Sequence, residues 1–321
     1  MLISKNSEKT PYDIAIVGAG VAGMTAAIYA LRAKKSVLIF EETVPGGQII
    51  NTSKIENYPG IPEISGSDFA KTLKSQVASF GGKFYFSTVE KIKKIKTPSE
   101  FPALFSLKTS EDEEFFAKTI IISSGSRERK LDLPGEDRLS GRGISYCATC
   151  DGSFFKNKTV AVYGGGNTAL YSALYLSNLA KTVYLIIRRN VFRAEPSLVR
   201  RAEEKENIKF IKNRVISALA GEKSLSSVVL SASNGSSAPE ETLPLDGLFI
   251  SIGRIPDNQR FKDFISLDDE GYISSDESCK TSVPGVFCAG DARKKPLHQL
   301  VTATSDGATA ATAAIDFLNS F

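Results

Sequence analysis

Two cysteines separated by two residues are the most chemically distinctive feature of this 321-residue sequence. They lie in the stretch Ser145-Tyr-Cys147-Ala-Thr-Cys150-Asp151-Gly152, at a predicted junction between a loop and a helix. A pair with this spacing closes a small disulfide ring, and in such pairs one thiol often has a lowered pKa, so that thiol–disulfide exchange is fast. We therefore predict that Cys147 and Cys150 form a redox-active disulfide.

The residues around the pair leave two questions open. Asp151 can exchange a proton with the thiol that leaves when the disulfide is reduced, or it can simply cap the following turn. The pair could also be half of a zinc site, but Cys279, Cys288 and the single His298 have no ligand-like spacing. We predict no metal, and we assign no redox role to Cys279, on a polar stretch, or to Cys288, in an apolar strand.

The first of two predicted nucleotide-binding units precedes the cysteine pair. It begins with a predicted strand, Tyr12–Val17, which leads into the glycine turn Gly18-Ala-Gly20-Val-Ala-Gly23. A predicted helix, Met24–Ala33, and a second strand, Val37–Phe40, follow, and the unit ends at the acid Glu41. Gly18 allows the tight turn, Gly20 lets the backbone approach a pyrophosphate, and Gly23 lets the helix pack on the strand. An acid about 20 residues after the first glycine typically binds a ribose hydroxyl, so Glu41 favours an unphosphorylated ribose such as that of FAD.

The second unit follows the cysteine pair and ends differently. It begins with a predicted strand, Thr159–Tyr163, which leads into the glycine turn Gly164-Gly-Gly166-Asn167-Thr168-Ala169. A predicted helix, Leu170–Ala180, and a second strand, Thr182–Ile187, follow. Arg188 and Arg189 follow, with Arg193 shortly after, where the first unit has its acid. Arginine at this position favours a 2′-phosphate and therefore NADPH, although a basic surface cluster is the alternative.

Composition limits the broad class of protein. The chain has 42% hydrophobic and 24% charged residues, which is typical of a globular protein long enough for two domains. The net charge of +4 is spread along the chain without a basic stripe, so we expect no nucleic-acid partner. The polar N-terminus and the lack of a long apolar run predict a cytoplasmic protein that does not contact the membrane.

In these motifs the sequence resembles the low-molecular-weight thioredoxin reductases of bacteria and archaea, over nearly the whole length from Tyr12 to Leu318. The shared blocks, in chain order, are Gly18 to Gly23, Gly46-Gly47-Gln48, Glu56-Asn57-Tyr-Pro59-Gly60, Cys147 to Gly152, Gly164 to Ala169, Arg188-Arg189 with Arg193-Ala-Glu195, and Gly290-Asp291. Because seven blocks occur in the right order, coincidence is an inadequate explanation.

The resemblance implies an α/β fold with two Rossmann-like domains. Residues 1–125 and 253–321 would form a discontinuous FAD-binding domain, and residues 126–252 an inserted NADPH-binding domain that carries the disulfide. Short crossings, Ser124–Arg127 and Gly253–Asn258, would join the domains. Since the disulfide and the nicotinamide belong to one domain and each must meet the flavin, we expect a domain rotation about these crossings.

The family pattern also assigns roles to single residues. Glu41 is expected on the adenosine ribose, Gln48 and Asn57 near the flavin, Asp291 on the ribityl chain and Gln299 near the isoalloxazine. The expected cofactor-binding set is Gly18, Gly20, Gly23, Glu41, Gly47, Gln48, Asn57, Gly125, Gly164, Gly166, Asn167, Thr168, Arg188, Arg189, Arg193, Gly290, Asp291, His298 and Gln299.

The resemblance further implies the route of the electrons. Hydride would pass from NADPH to FAD, and the electron pair would then pass to the Cys147–Cys150 disulfide and on to thioredoxin or a thioredoxin-like protein. Cys150, beside the proton-transferring Asp151, would lie nearest the flavin, and Cys147 would attack the acceptor. A homodimer is also implied by the resemblance.

The departures from the family pattern concern the cofactors rather than the disulfide. Ile187 stands where the family usually has a histidine that contributes to 2′-phosphate recognition. Tyr171-Ser172 replaces acidic residues, His298 replaces a common arginine, and Ser123-Ser124-Gly125 replaces Ala-Thr-Gly. Three alternatives stay open: a dithiol oxidase that uses oxygen, a reductase with a donor other than NADPH, and a nucleotide- or redox-sensing binding protein without turnover.

Overall fold

The computed structural model describes residues 10–52, 54–95, 104–233 and 239–321. The chain divides into two compact units, unit 1 from Met1–Arg127 with Ile255–Phe321 and unit 2 from Glu128–Arg254. Each unit contains a sheet with parallel strands and packed helices, so the predicted α/β class is confirmed. Among the described residues, no helix combines the length and apolar character that crossing a bilayer requires.

The strands and helices of the described residues are numbered here in chain order. The strands are β1 (Tyr12–Val17), β2 (Val37–Glu41), β3 (Lys83–Phe86), β4 (Val89–Ile95), β5 (Leu104–Thr109), β6 (Glu114–Ile122), β7 (Ser126–Glu128), β8 (Ile144–Ser145), β9 (Thr159–Tyr163), β10 (Thr182–Ile187), β11 (Ile208–Lys212), β12 (Arg214–Ala220), β13 (Ser227–Ala232), β14 (Glu241–Pro244), β15 (Gly247–Ile250), β16 (Arg254–Pro256) and β17 (Val286–Cys288). The helices are α1 (Val21–Arg32), α2 (Gly66–Ser79), α3 (Glu136–Leu139), α4 (Ala148–Asp151), α5 (Asn167–Ser177), α6 (Pro196–Glu203) and α7 (Leu300–Asn319).

The main sheet of unit 1 has the order β3-β2-β1-β6-β5-β4, and β17 also pairs with β6. β1 runs parallel to both β2 and β6 at the centre, with Ile14 opposite Val37 and Thr119. Ile14 and Ile16 pack on the face that α1 and α7 cover, whereas Ala15 and Val17 pack on the opposite face. Because β1 is covered on both faces, its sequence is a nearly continuous apolar run rather than an alternating one.

Unit 2 has a parallel sheet of order β11-β10-β9-β15-β8 and a separate antiparallel sheet, β12-β13-β14. The side chains of Leu185 and Ile187 pack with α5, and that of Ile186 packs on the other face with residues of the antiparallel sheet. The carboxyl ends of β9 and β10 lie side by side, which brings the glycine turn after β9 next to the arginines after β10.

Two helices begin earlier than the sequence patterns predicted. We expected helices over Met24–Ala33 and Leu170–Ala180, but α1 begins at Val21 and α5 at Asn167. For α1 and α5 the cause is a glycine N-cap, Gly20 or Gly166, that has extended backbone and no capping side chain. Each helix therefore begins directly after the turn, with its first N–H groups uncapped by that residue.

Two backbone hydrogen bonds, one within each unit, hold the ends of the crossing segments together. The crossing segments include β7 and β16, which form a two-stranded sheet. On the unit 1 side, the Asp257 N–H donates to the Gly125 carbonyl at 3.1 Å. On the unit 2 side, the Arg129 N–H donates to the Gly253 carbonyl at 3.0 Å. The chain therefore leaves and re-enters unit 1 at adjacent positions.

Helices α1 and α7 pack closely because a glycine lies at their contact. A Cβ atom on Gly307 would lie 2.2 Å from the Ala22 carbonyl oxygen and 3.0 Å from Cβ of Thr25. Such a distance is far below van der Waals contact, so a side chain at this position would push the helices apart. Gly307 is therefore required by packing, although it lies inside a helix.

We expect Gly307→Ala to lower the free energy of unfolding by at least about 2 kcal/mol, since the clash involves backbone atoms that cannot rotate away. Urea unfolding followed by circular dichroism measures this change. Ser305→Ala, at an exposed position of the same helix, is the matched control and should leave the midpoint nearly unchanged. Equal midpoints for the two variants would contradict the packing argument.

Candidate active site and nucleotide-binding turns

A disulfide bond joins Cys147 and Cys150, with their Cα atoms 5.3 Å apart, as the sequence predicted. Cys147 is the N-cap of the single-turn helix α4, and its Sγ accepts a hydrogen bond from the Cys150 N–H at 3.2 Å. The Thr149 hydroxyl lies 3.4 Å from the same sulfur. Both cysteines are partly exposed, so a reactant can reach the pair. The N–H and hydroxyl groups can stabilise negative charge on Cys147 Sγ.

Asp151 is held beside the disulfide by a residue that the sequence analysis did not single out. The Ser145 hydroxyl donates to Asp151 Oδ2 at 2.6 Å, and the Cys147 N–H donates to the Ser145 oxygen at 3.0 Å. Asp151 precedes a short 3₁₀ turn, Gly152–Phe155, but makes no capping hydrogen bond to it. The capping alternative is therefore wrong, and the carboxylate is oriented by Ser145 instead.

The segment before the disulfide is anchored inside unit 2. The Tyr146 hydroxyl donates to Glu136 Oε1 at 2.7 Å, and burial together with this carboxylate raises the pKa of Tyr146 well above its usual range. Glu136 is 2% exposed and also accepts from the N–H groups of Leu131 and Asp132. The tyrosine stays protonated and remains a donor at all physiological pH values.

Gly152 closes the cysteine motif against helix α5. A Cβ atom here would lie 2.9 Å from the Tyr175 ring and 3.1 Å from Leu176 Cδ2. The motif therefore packs directly on the helix that follows the second glycine turn. This contact links the position of the disulfide to that of the turn.

The first glycine turn has the shape that a pyrophosphate requires. Gly18 has φ +99°, and a Cβ there would lie 2.4 Å from the Ser123 carbonyl oxygen. In contrast, no atom lies within 4 Å of a Cβ built on Gly20, so the space in front of the N-terminus of α1 is open. Gly47 completes the surface, since its Cβ position would lie 3.2 Å from Gly20 Cα. Gly23 serves packing, as predicted, with its Cβ position 2.0 Å from the Gly18 oxygen.

Glu41 lies at the end of β2 next to this turn. Its Oε2 accepts from the Ala19 N–H at 2.9 Å, and its Oε1 accepts from the Thr43 N–H at 3.1 Å. Two backbone donors therefore fix the carboxylate, while its remaining lone pairs can still accept from ribose hydroxyls. An uncapped helix, open space and a fixed acid together fit the adenosine and pyrophosphate of a dinucleotide.

The other residues expected near FAD come together from distant parts of unit 1. Asn57 Nδ2 donates to Gln299 Oε1 at 3.1 Å, and His298 Nδ1 lies 3.2 Å from Asp291 Oδ1. The Gln48 amide donates to the Ser126 carbonyl at the crossing. Gly125 and Gly290, which directly precede Ser126 and Asp291, have positive φ angles of +75° and +70°.

A buried ionic cluster that the sequence analysis missed holds the Gly290-Asp291 turn. Asp306 is 8% exposed, and its Oδ1 accepts from Arg293 Nη1 at 3.0 Å. Its Oδ2 accepts from Lys295 Nζ at 3.0 Å and from the Gly290 N–H at 3.1 Å. An aspartate in the middle of an Ala/Thr-rich helix was the available signal, because a charge at a buried position requires partners.

The second glycine turn has similar geometry in unit 2. A Cβ on Gly164 would lie 2.1 Å from the Ser251 carbonyl oxygen, whereas the space in front of Gly166 is open. Thr168 is exposed in the first turn of α5. The Asn167 side chain pairs with Glu195, donating to Oε1 at 3.1 Å and accepting from its N–H at 2.8 Å.

The arginine segment is attached to this turn. The Arg193 N–H donates to the Gly165 carbonyl at 2.8 Å, so the chain after β10 folds back over the glycines. Arg188, Arg189 and Arg193 are all exposed, whereas Ile187 is 2% exposed and packs in the core. Three exposed arginines therefore lie on the segment attached to the turn, and their guanidinium groups match a phosphorylated nucleotide in charge.

The remaining cysteines are shielded from redox chemistry. Cys279 lies on a polar stretch of the sequence, yet its side chain is fully buried, because the turn places it at φ +61° with its Sγ near the Asp306 carbonyl. Burial raises the pKa of Cys279 to about 11, and complete burial raises the pKa of Cys288 well above its usual value. Both thiols stay protonated, and they pack in different hydrophobic clusters.

Known proteins share both the sequence and the fold. The pattern of the pyridine nucleotide-disulphide oxidoreductases matches residues 12–307. Thioredoxin reductase from Listeria monocytogenes is 42% identical over 306 residues, covering 95% of this chain and 93% of that protein. Thioredoxin reductase from Bacillus subtilis is 38% identical, covering 95% of this chain and 94% of that protein.

A solved structure agrees with the sequence relatives. The crystal structure of thioredoxin reductase from Streptococcus pyogenes is 37% identical and matches with a TM-score of 0.88, covering 98% of this chain and 100% of that one. These matches confirm the resemblance to the low-molecular-weight thioredoxin reductases. The chain therefore belongs to the pyridine nucleotide-disulphide oxidoreductase family.

Proposed function

We propose that this protein is an NADPH-dependent thioredoxin reductase with FAD as its resident cofactor. The observation that carries the proposal is the Cys147–Cys150 disulfide, held in an intact cysteine motif within the unit that also has the arginine-bordered glycine turn. Relatives over the full length are named thioredoxin reductase, which supports the same assignment. When bound, FAD accepts a hydride from NADPH and supplies the electron pair that reduces the disulfide.

Unit 1 would hold FAD. The N–H groups after Gly20 would bind the pyrophosphate, and Glu41 would accept hydrogen bonds from the adenosine ribose. Asp291, positioned by the Asp306 cluster, would accept from the ribityl chain. Asn57, paired with Gln299, would contact the flavin ring together with Gln48. The same resemblance supports a role for Gly18, Gly23, Gly47, Gly125, Gly290 and His298 in shaping this site.

Unit 2 would hold NADPH. The open N-terminus of α5 at Gly166 would bind the pyrophosphate, with Gly164, Asn167 and Thr168 shaping the turn. Arg188, Arg189 and Arg193 would bind the 2′-phosphate through their guanidinium groups, which match phosphate oxygens in geometry and charge. The clamp between Asn167 and Glu195 would keep the arginine segment in place.

The cysteines would divide the exchange reaction between them. Reduction by two electrons and two protons opens the disulfide to a dithiol, and Asp151, oriented by Ser145, exchanges a proton with the Cys150 thiol. The Cys147 thiolate, stabilised by the Cys150 N–H, attacks the thioredoxin disulfide, which forms a mixed disulfide and releases one thioredoxin thiol. Cys150 then attacks Cys147 Sγ, which releases the second thioredoxin thiol and restores the disulfide.

Two steps in this cycle require the disulfide and the nicotinamide to meet the flavin in turn. We propose that unit 2 rotates relative to unit 1 about the crossings at Ser124–Arg127 and Gly253–Asn258. Gly125 and Gly253, both with positive φ, can absorb the change in backbone torsion. From the family resemblance we also propose that the protein is a homodimer and is located in the cytoplasm.

Anaerobic titration tests the direction of electron flow. We expect NADPH to bleach the flavin absorbance of the purified holoenzyme at far lower concentration than NADH, because the arginines favour a 2′-phosphate. Added thioredoxin should then restore the absorbance. Failure of both nucleotides to bleach the flavin would exclude NADPH as the donor, and reoxidation by oxygen alone, with thioredoxin inert, would favour a dithiol oxidase.

We expect Cys147→Ser to leave reduction of the flavin by NADPH intact while lowering thioredoxin turnover roughly a thousandfold or more, since the attacking sulfur is lost. Stopped-flow absorbance measures the first step, and steady-state NADPH consumption measures the second. Cys288→Ala removes a buried thiol outside the site and serves as the matched control. Thioredoxin turnover that survives Cys147→Ser would refute the exchange scheme.

Restricting the crossings tests the rotation. A bifunctional lysine reagent that joins unit 1 to unit 2, verified by peptide mapping, should slow thioredoxin turnover more than about tenfold without releasing FAD. Protein that carries cross-links only within one unit is the control. Unchanged turnover in the fully cross-linked fraction is incompatible with a rotating domain.

A further inference from the structure

Lys212 extends the positive surface formed by the arginine segment. It is the last residue of β11 and lies opposite Ile187, the last residue of β10, in the parallel register. Arg188 follows Ile187 directly, so the lysine and the arginine leave the sheet at the same edge. In sheets of this kind, nucleotides bind outside the carboxyl ends of the strands.

The side chain of Lys212 is directed towards the arginine segment by an aromatic contact. Its Nζ lies 5.7 Å from the centroid of the Phe192 ring, within the range of a cation–π interaction. The Phe192 ring packs edge-on against Phe210, with centroids 5.7 Å apart. Because strand side chains alternate, Lys212 lies on the same face of β11 as Phe210, and Lys209 lies on the opposite face.

Phe192 connects Lys212 to the segment that carries Arg193. Phe192 directly precedes Arg193, whose N–H is bound to the Gly165 carbonyl in the glycine turn. The ammonium group is therefore held beside the same chain segment that crosses the turn. Lys212 is exposed, so desolvation does not oppose its charge.

The positive charge at this edge is not neutralised by ion pairs among the residues that the structure describes. Lys212 and the three arginines, Arg188, Arg189 and Arg193, form none there with an acidic side chain. Four like charges on one short stretch of surface repel each other, and a bound dianion relieves that repulsion. A phosphate monoester is the group that matches this charge.

We propose that Lys212 is a specificity-determining residue that contacts the 2′-phosphate of NADPH. This inference rests on the proposed function, in which unit 2 binds NADPH. The arginines supply planar, bidentate donors, and the lysine adds a mobile point charge from the neighbouring strand. Discrimination against NADH therefore involves β11 as well as β10, and Ile187 can remain a core residue without contributing to it.

Two fragments that differ only in the 2′-phosphate isolate this contact. Calorimetric titration of the holoenzyme with 2′,5′-ADP and with 5′-AMP measures both dissociation constants. We expect Lys212→Gln to weaken binding of 2′,5′-ADP about fivefold while leaving that of 5′-AMP unchanged, as for one exposed charge contact. Lys212→Arg should retain most of the affinity, and Lys209→Gln, on the other face of the strand, should match the wild type.

Two results would overturn the assignment. If Lys212→Gln weakens both fragments equally, the lysine supports the adenosine site in general, and if it weakens neither, the lysine makes no contact. A wild-type protein that binds the two fragments equally well would overturn both this inference and NADPH as donor. Preference of the wild type for 2′,5′-ADP, with no effect of Lys212→Gln, would remove the inference alone.

Discussion

The close packing of two glycines, Gly307 and Gly290, against Ala22 of α1 determines how unit 1 is assembled. Gly307 lets α7 lie directly on α1, and Gly290 brings its turn against the Ala22 methyl group. The buried carboxylate of Asp306 then fastens that turn through the Gly290 N–H. A buried carboxylate is stable only with its partners in place, so Arg293 and Lys295 form part of the same constraint. The first and last segments of the chain therefore form together the surface that we propose for the dinucleotide.

In unit 2 the second glycine turn is positioned by contacts between residues that are closer in the sequence. The Asn167 side chain binds Glu195, and the Gly165 carbonyl binds the Arg193 N–H, so the C-terminal end of the arginine segment is bound to the glycine turn. Each of these pairs is 28 positions apart in the chain. The contrast follows from chemistry, since an acid at the end of β2 can be fixed by two neighbouring N–H groups, whereas several mobile cations require a folded segment to keep them near one phosphate.

Sequence patterns were sufficient where local physics decides the structure. The strands Tyr12–Val17, Thr159–Tyr163 and Thr182–Ile187 agree residue for residue with β1, β9 and β10, because each is a buried apolar run bounded by glycine or polar residues. The disulfide was also predicted, since its two cysteines are three positions apart. Helix starts were misplaced, because a glycine N-cap offers no side-chain signal.

Local sequence patterns could not predict contacts between residues that are far apart in the chain. Asn57 and Gln299 were each placed near the flavin by family resemblance, but their direct hydrogen bond spans 242 positions. The partners of Asp306 and the burial of Cys279 depend on tertiary packing that no short window encodes. The antiparallel strands β12 to β14 were not predicted, because each of them buries only one or two side chains and so gives a weak pattern.

The paired crossings have a consequence for how such a chain can be built. The ends of unit 2 lie next to each other, with Arg254 Nη1 3.0 Å from Glu128 Oε1. The two segments of unit 1 that flank unit 2 in the sequence are joined by the hydrogen bond from the Asp257 N–H to the Gly125 carbonyl. A segment whose two ends meet can be inserted into a host loop without stretching either partner. The architecture is thus modular: a gene segment for a complete nucleotide-binding domain can enter, leave or be exchanged at one point, while the interrupted host retains its closed framework.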